Sequence, residues 1–103
     1  SDMVTVKIDV ELSPAFKNAL RSSRLLIELE EDEGTVEGLL RRLSRESNGR
    51  IDSLIFEEGG NEIFSGLMVM VNDRVFTGTA LNQEIIRLRD RDKVSLLYFV
   101  SGG

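Results

Sequence analysis

The chain has 103 residues, 41% hydrophobic and 30% charged, a balance that suits one folded domain around one core and not a disordered segment. It has no cysteine and no histidine, which removes disulfides, thiolate catalysis, the usual zinc sites and imidazole acid–base chemistry. A formal net charge of −5 argues against a nucleic-acid partner, and no apolar run approaches the roughly 18–20 residues of a membrane span.

Met3 reads as a natural start, so Ser1 and Asp2 are taken as a cloning remnant and residues 3–103 as a single domain. No export signal opens the chain, and a cytoplasmic setting is expected. Val4, Val6, Ile8 and Val10 alternate with Thr5, Lys7 and Asp9, the pattern of a strand with one buried face. Ser13-Pro14 interrupts it, because proline cannot donate to a sheet ladder. Residues 14–23 read as a loop, with at most one helical turn placing Phe16 and Leu20 on the core. A second strand carries Leu25, Ile27 and Leu29 and ends among Glu28, Glu30, Glu31, Asp32 and Glu33. That acidic run reads first as a solvated strand end and turn, and second as a docking surface for a basic partner.

Thr35 is a suitable helix N-cap, with Glu37 near the positive end of the helix dipole. Val36, Leu39, Leu40 and Leu43 share one helical face, Arg41, Arg42 and Arg45 lie largely elsewhere, and Asn48-Gly49 supplies a left-handed stop. Residues 50–66 suggest a short excursion or loose hairpin. Residues 67–71 form a strand that ends at the turn formers Asn72-Asp73, and Arg74-Val75-Phe76 follows as a short strand. Leu81, Ile85, Ile86 and Leu88 lie on a meandering segment with room for one helical turn. After the polar turn Asp90-Arg91-Asp92-Lys93, a final strand over residues 94–100 leads into Ser101, Gly102 and Gly103. A single main helix cannot cover both faces of such a sheet, so one face is expected to stay open.

No catalytic set emerges from this pattern. Asp90 and Asp92 belong to a surface turn and read as a solvated pair, and Gly59-Gly60 lacks the lysine and following helix of a phosphate loop. The chain is not expected to be an enzyme, nor to hold a metal.

The order of these elements resembles the MoaD/ThiS group, which comprises the small subunit of molybdopterin synthase and the thiamine-pathway sulfur carriers. The resemblance is carried by the acidic second strand, Thr35-Val36-Glu37-Gly38-Leu39-Leu40 at the helix start, a strand ending Val71-Asn72, and a closing strand ending Gly102-Gly103. It runs from Val4 to Gly103. Arg91 stands where the family usually has glycine, and Phe99-Val100-Ser101 stands where the molybdopterin members carry proline before the last glycines.

The resemblance implies an α+β fold of the β-grasp (ubiquitin-like) type, a mixed sheet of four or five strands with one main helix packed on one face. It implies that an adenylating enzyme of the MoeB/ThiF kind, using ATP and magnesium, activates the carboxylate of Gly103. A sulfur donor then leaves a thiocarboxylate for an acceptor enzyme, the molybdopterin synthase large subunit or thiazole synthase, with the molybdopterin pathway expected first. No cofactor would be bound by this chain itself. Glycine has no Cβ and adapts its backbone freely, so Gly102 and Gly103, with Ser101, suit threading into a narrow channel. The alternatives are a thiazole or other carrier, a modifier joined to lysine, or an interaction module with no activated end. A native chain continuing past Gly103 would mark the last of these.

Alternation places Val94, Leu96, Tyr98 and Val100 on one face of the final strand and Ser95, Leu97, Phe99 and Ser101 on the other. Likewise Leu67, Val69 and Val71 point to the core and leave Met68 and Met70 outward. In the β-grasp arrangement Met68, Met70, Leu97 and Phe99 form one apolar patch beside the tail, next to the polar Thr5, Lys7 and Asp9. Such a patch is expected to dock partners.

Overall fold

The computed structural model describes residues 4–98. Strand β1 (Thr5–Leu12) buries Ile8, Val10 and Leu12 and leaves Lys7 and Glu11 exposed, as its alternation requires. The chain then forms helix α1 (Pro14–Leu20) where a loop is expected from sequence. The proline that ends the strand also begins the helix, because the first helical position needs no backbone donor and has a φ that proline already favours. Phe16 is fully buried from α1, Leu20 half-buried, and Arg21 ends the helix in a left-handed conformation at φ 58°.

Strand β2 (Arg24–Glu30) returns antiparallel to β1, with Ile27 opposite Ile8, and runs into the turn Glu31–Glu33. Thr35 caps helix α2 (Val36–Glu46), its Oγ1 accepting from the Gly38 amide at 2.9 Å. A Cβ on Gly38 would lie 2.1 Å from the Glu33 carbonyl oxygen, which accounts for a helix-weakening residue in the first turn. Val36, Leu39, Leu40 and Leu43 are fully buried. Burial of each such side chain contributes roughly 1.5–3 kcal/mol. Asn48 and Gly49, at φ 54° and 80°, end the helix as their sequence predicts.

Residues 50–66 combine both expected shapes. A short helix α3 (Asp52–Ile55) is followed by a hairpin-like bridge between Phe56 and Ile63. The side chain of Asn82 accepts from the Ile63 amide and donates to the Ile63 carbonyl, both at 2.8 Å. Arg41 of α2 lies 4.5 Å over the Phe56 ring and donates to the Gly60 carbonyl at 3.3 Å. The excursion is therefore secured on the helix-bearing side of the sheet.

Strands β3 (Leu67–Val71) and β4 (Arg74–Thr77), helix α4 (Gly78–Gln83) and strand β5 (Lys93–Tyr98) complete the described residues. The sheet order is β2-β1-β5-β3-β4, with β1 and β5 parallel at the centre and the other neighbours antiparallel. This is a β-grasp sheet of five strands. The side chain of Asn72 locks one end of β3 to β5, donating to Asp92 and accepting from the Lys93 amide, each at 3.0 Å. No helix among the described residues is long and apolar enough to cross a membrane.

Candidate docking face and tail root

The alternation of β3 and β5 decides what lies on the open face. Leu67, Val69, Val71, Val94 and Leu96 are buried under the helices, while Met68, Met70, Ser95 and Leu97 are half-buried on the opposite side. The register sets Met68 directly opposite Leu97 and Met70 opposite Ser95. Facing residues on one side of an antiparallel pair have Cβ atoms roughly 4.5–5.5 Å apart, so Met68 and Leu97 form one apolar surface. Three of the expected patch residues are thus brought together. Phe99, Ser101, Gly102 and Gly103 lie outside the described residues.

Val75 also belongs to this surface. It pairs with Met70 across the β3–β4 ladder and is 52% exposed. The sequence signal for it was the short turn Asn72-Asp73, which determines which residues of β4 share a face with Met70. On the far side of β5 the surface turns polar, with Glu11 opposite Ser95 and Asp9 opposite Lys93. Asp9 pairs with Arg24 at 2.6 Å, and this hydrogen bond and the neighbouring charge raise the Arg24 pKa further above its ordinary value. The patch therefore has a sharp border along β1.

Tyr98 closes β5 on the opposite, helix-bearing face, packed against the core. Its ring stacks on Phe64, with centroids 5.6 Å apart and 26° between planes, and meets Phe16 edge-on at 6.3 Å. Phe64 is itself positioned through its amide, which donates to the Ile55 carbonyl at 2.8 Å, and through its carbonyl, which packs against Gly78. Residue 98 is consequently held between α1 and the 50–66 excursion, so whatever follows it starts from a fixed point.

The acidic run behaves as a solvated turn. Glu30, Glu31 and Asp32 are exposed, Glu33 pairs with Arg45 at 3.1 Å, and Glu28 accepts from the Thr5 hydroxyl at 3.0 Å. Asp90 and Asp92 organise the turn before β5: Asp90 accepts from the Lys7 amide and Asp92 from the Arg89 amide, each at 2.8 Å. The sequence reads them as a solvated pair in a surface turn; the turn is observed, but their oxygens bond the Lys7 and Arg89 amides and the Asn72 side chain.

The ThiS family model matches residues 22–103. No curated protein sequence matches the chain. Among solved structures, the HVO 2177 protein of Haloferax volcanii superposes with a TM-score of 0.77 at 24% identity, covering 100% of this chain and 92% of that one. Small archaeal modifier protein 1 of Methanosarcina acetivorans gives 0.71 at 19% identity, covering 97% and 99%. A Pyrococcus furiosus protein provisionally called molybdopterin converting factor, subunit 1, gives 0.66 at 21% identity, covering 92% and 99%. At these identities the structures speak to the shared fold.

Proposed function

We propose that this chain, which belongs to the ThiS family, is a sulfur carrier whose working group is the carboxylate of Gly103. The observation that carries the reading is that the family match extends to residue 103, beyond a strand whose end is clamped by Phe16 and Phe64. A free carboxylate is a poor electrophile. An oxygen of Gly103 would attack the α-phosphorus of ATP in an activating enzyme, pyrophosphate would leave, and the product would be an acyl adenylate. A sulfur nucleophile would then displace AMP at the acyl carbon and leave a thiocarboxylate for an acceptor enzyme. None of these steps draws an acid, base or metal from this chain, which supplies position and access. Any side chain at Gly103 would crowd the acyl carbon where the nucleophile must approach.

The patch of Met68, Met70, Leu97 and Val75, extended by Phe99, is proposed to seat the activating enzyme. Methionine suits a surface that must also fit an acceptor. We place the carrier in molybdopterin synthesis within the cytoplasm, with the large subunit of molybdopterin synthase as acceptor. The name of the Pyrococcus neighbour supports this assignment. A second reading, transfer of the same adenylate to a lysine of another protein, draws support from the modifier named among the structural neighbours. ATP–pyrophosphate exchange by a MoeB/ThiF-type enzyme tests the shared first step. The full chain should support exchange and a chain lacking Gly103 should not; equal exchange by both would overturn the proposal.

A further inference from the structure

We propose a second interaction site, a groove lined by Arg74, Arg87 and Arg89 that docks an acidic polypeptide segment of a partner protein. The groove has a volume of about 350 Å³ and lies between the β3–β4 turn and residues 86–89, with Val71, Phe76 and Ile86 as its apolar lining.

The local sequence explains the presentation. Residues 86–89 are extended and bridge to the start of α2, the Val36 amide donating to the Ile86 carbonyl at 2.9 Å and the Leu88 amide to the Gly34 carbonyl at 2.8 Å. Leu88 is buried there, while Arg87 and Arg89 are exposed. Arg74 joins them from β4, its guanidinium 5.1 Å over the Phe76 ring. The ring holds Arg74 at low entropic cost, and the bridged backbone fixes where Arg87 and Arg89 leave the chain.

Their gathering in one groove, with no internal ion pair to occupy them, is the telling feature in an acidic chain. Among the described residues, ion pairs engage Arg24, Arg41, Arg42, Arg45 and Arg91, but not Arg74, Arg87 or Arg89. Asp92 lines the same groove, yet its two oxygens already accept from the Asn72 side chain and the Arg89 amide. Three guanidinium forks beside an apolar floor suit carboxylates on aliphatic stems, as in a glutamate-rich segment. A nucleic-acid backbone fits less well, because a phosphodiester offers no aliphatic stem to lay against Val71, Phe76 and Ile86.

Position gives the site a use. Asp92 precedes the first residue of β5, whereas the clamp at Tyr98 marks its last described one, so the groove and the tail root are separated by roughly 3.3 Å per residue along that strand. Val71 and Phe76 lie on the helix-bearing face, opposite Met68 and Met70. A partner in the groove would leave both the patch and the tail free. The site could therefore be engaged while the other end is in an enzyme, and it stands independently of any activation of Gly103.

The test is a titration of the full chain with a hexaglutamate peptide, followed by NMR of the arginine Nε–Hε groups. Shifts confined to Arg74, Arg87 and Arg89, with Arg21 and Arg50 unmoved, are expected. The double variant Arg87→Glu/Arg89→Glu should bind about tenfold more weakly. Its melting temperature should be unchanged, and Arg21→Glu/Arg50→Glu should bind like the parent. Absence of shifts, equal shifts at Arg21 and Arg50, or tighter binding of a single-stranded oligonucleotide at the same arginines would overturn the proposal.

Discussion

Arg91 holds φ 71° in the turn before β5, where its amide donates to the Lys7 carbonyl at 2.7 Å. A left-handed backbone costs a residue with a Cβ roughly 1–2 kcal/mol, so glycine would sit at this position with less strain. The Arg91 side chain is 91% exposed and contributes little in return. Arg91→Gly should therefore stabilise the fold by about 0.5–1 kcal/mol after the added freedom of the unfolded chain is subtracted. Chemical denaturation measures this; a lower midpoint would contradict it. Gly78 is the opposite case. A Cβ there would fall 1.8 Å from the Phe64 carbonyl oxygen, so Gly78→Ala must push apart α4 and the residue on which Tyr98 stacks. A loss of about 3 kcal/mol or more is expected in the same measurement. A change below 1 kcal/mol would show that this approach is slack.

At the scale of elements, strict periodicity made β1, β2, β3, β5 and α2 legible, because each keeps one face in the core over several residues. Helix α1 was not, since its first residue is the proline that also closes β1 and only Phe16 is fully buried from it. Residues 50–66 resisted reading for another reason: the backbone of Ile63 is satisfied by the Asn82 side chain, and no local pattern encodes a bond across 19 positions. The outward facing of three patch residues followed from alternation and their adjacency from the β-grasp resemblance, whereas Val75 needed the pairing of β3 with β4. The arginine groove was invisible because residues 71–76 and 86–92 meet only in the folded sheet. If the open face seats the activating enzyme, Leu97→Asp should leave the melting temperature within a few degrees and raise KM for activation more than tenfold, kcat changing far less. A folded Leu97→Asp chain with an unaltered KM would remove the patch from the account.

Considered whole, the molecule separates its tasks. Its core ties a mixed sheet to α2, its open face offers an apolar patch bordered by the charges of β1, and the end of β5 is pinned by two aromatic rings. Under the proposed function, these parts suit a body that carries an end group to other proteins. The central claim is that Gly103 carries the transferred sulfur. Its most direct test is intact-mass and fragment analysis after incubation with ATP, an activating enzyme and a sulfide source. The account predicts a mass gain equal to sulfur replacing one oxygen, located on the final residue and absent from a chain lacking Gly103. An unmodified terminus on a chain that the enzyme demonstrably adenylates, or a gain located elsewhere, would contradict it.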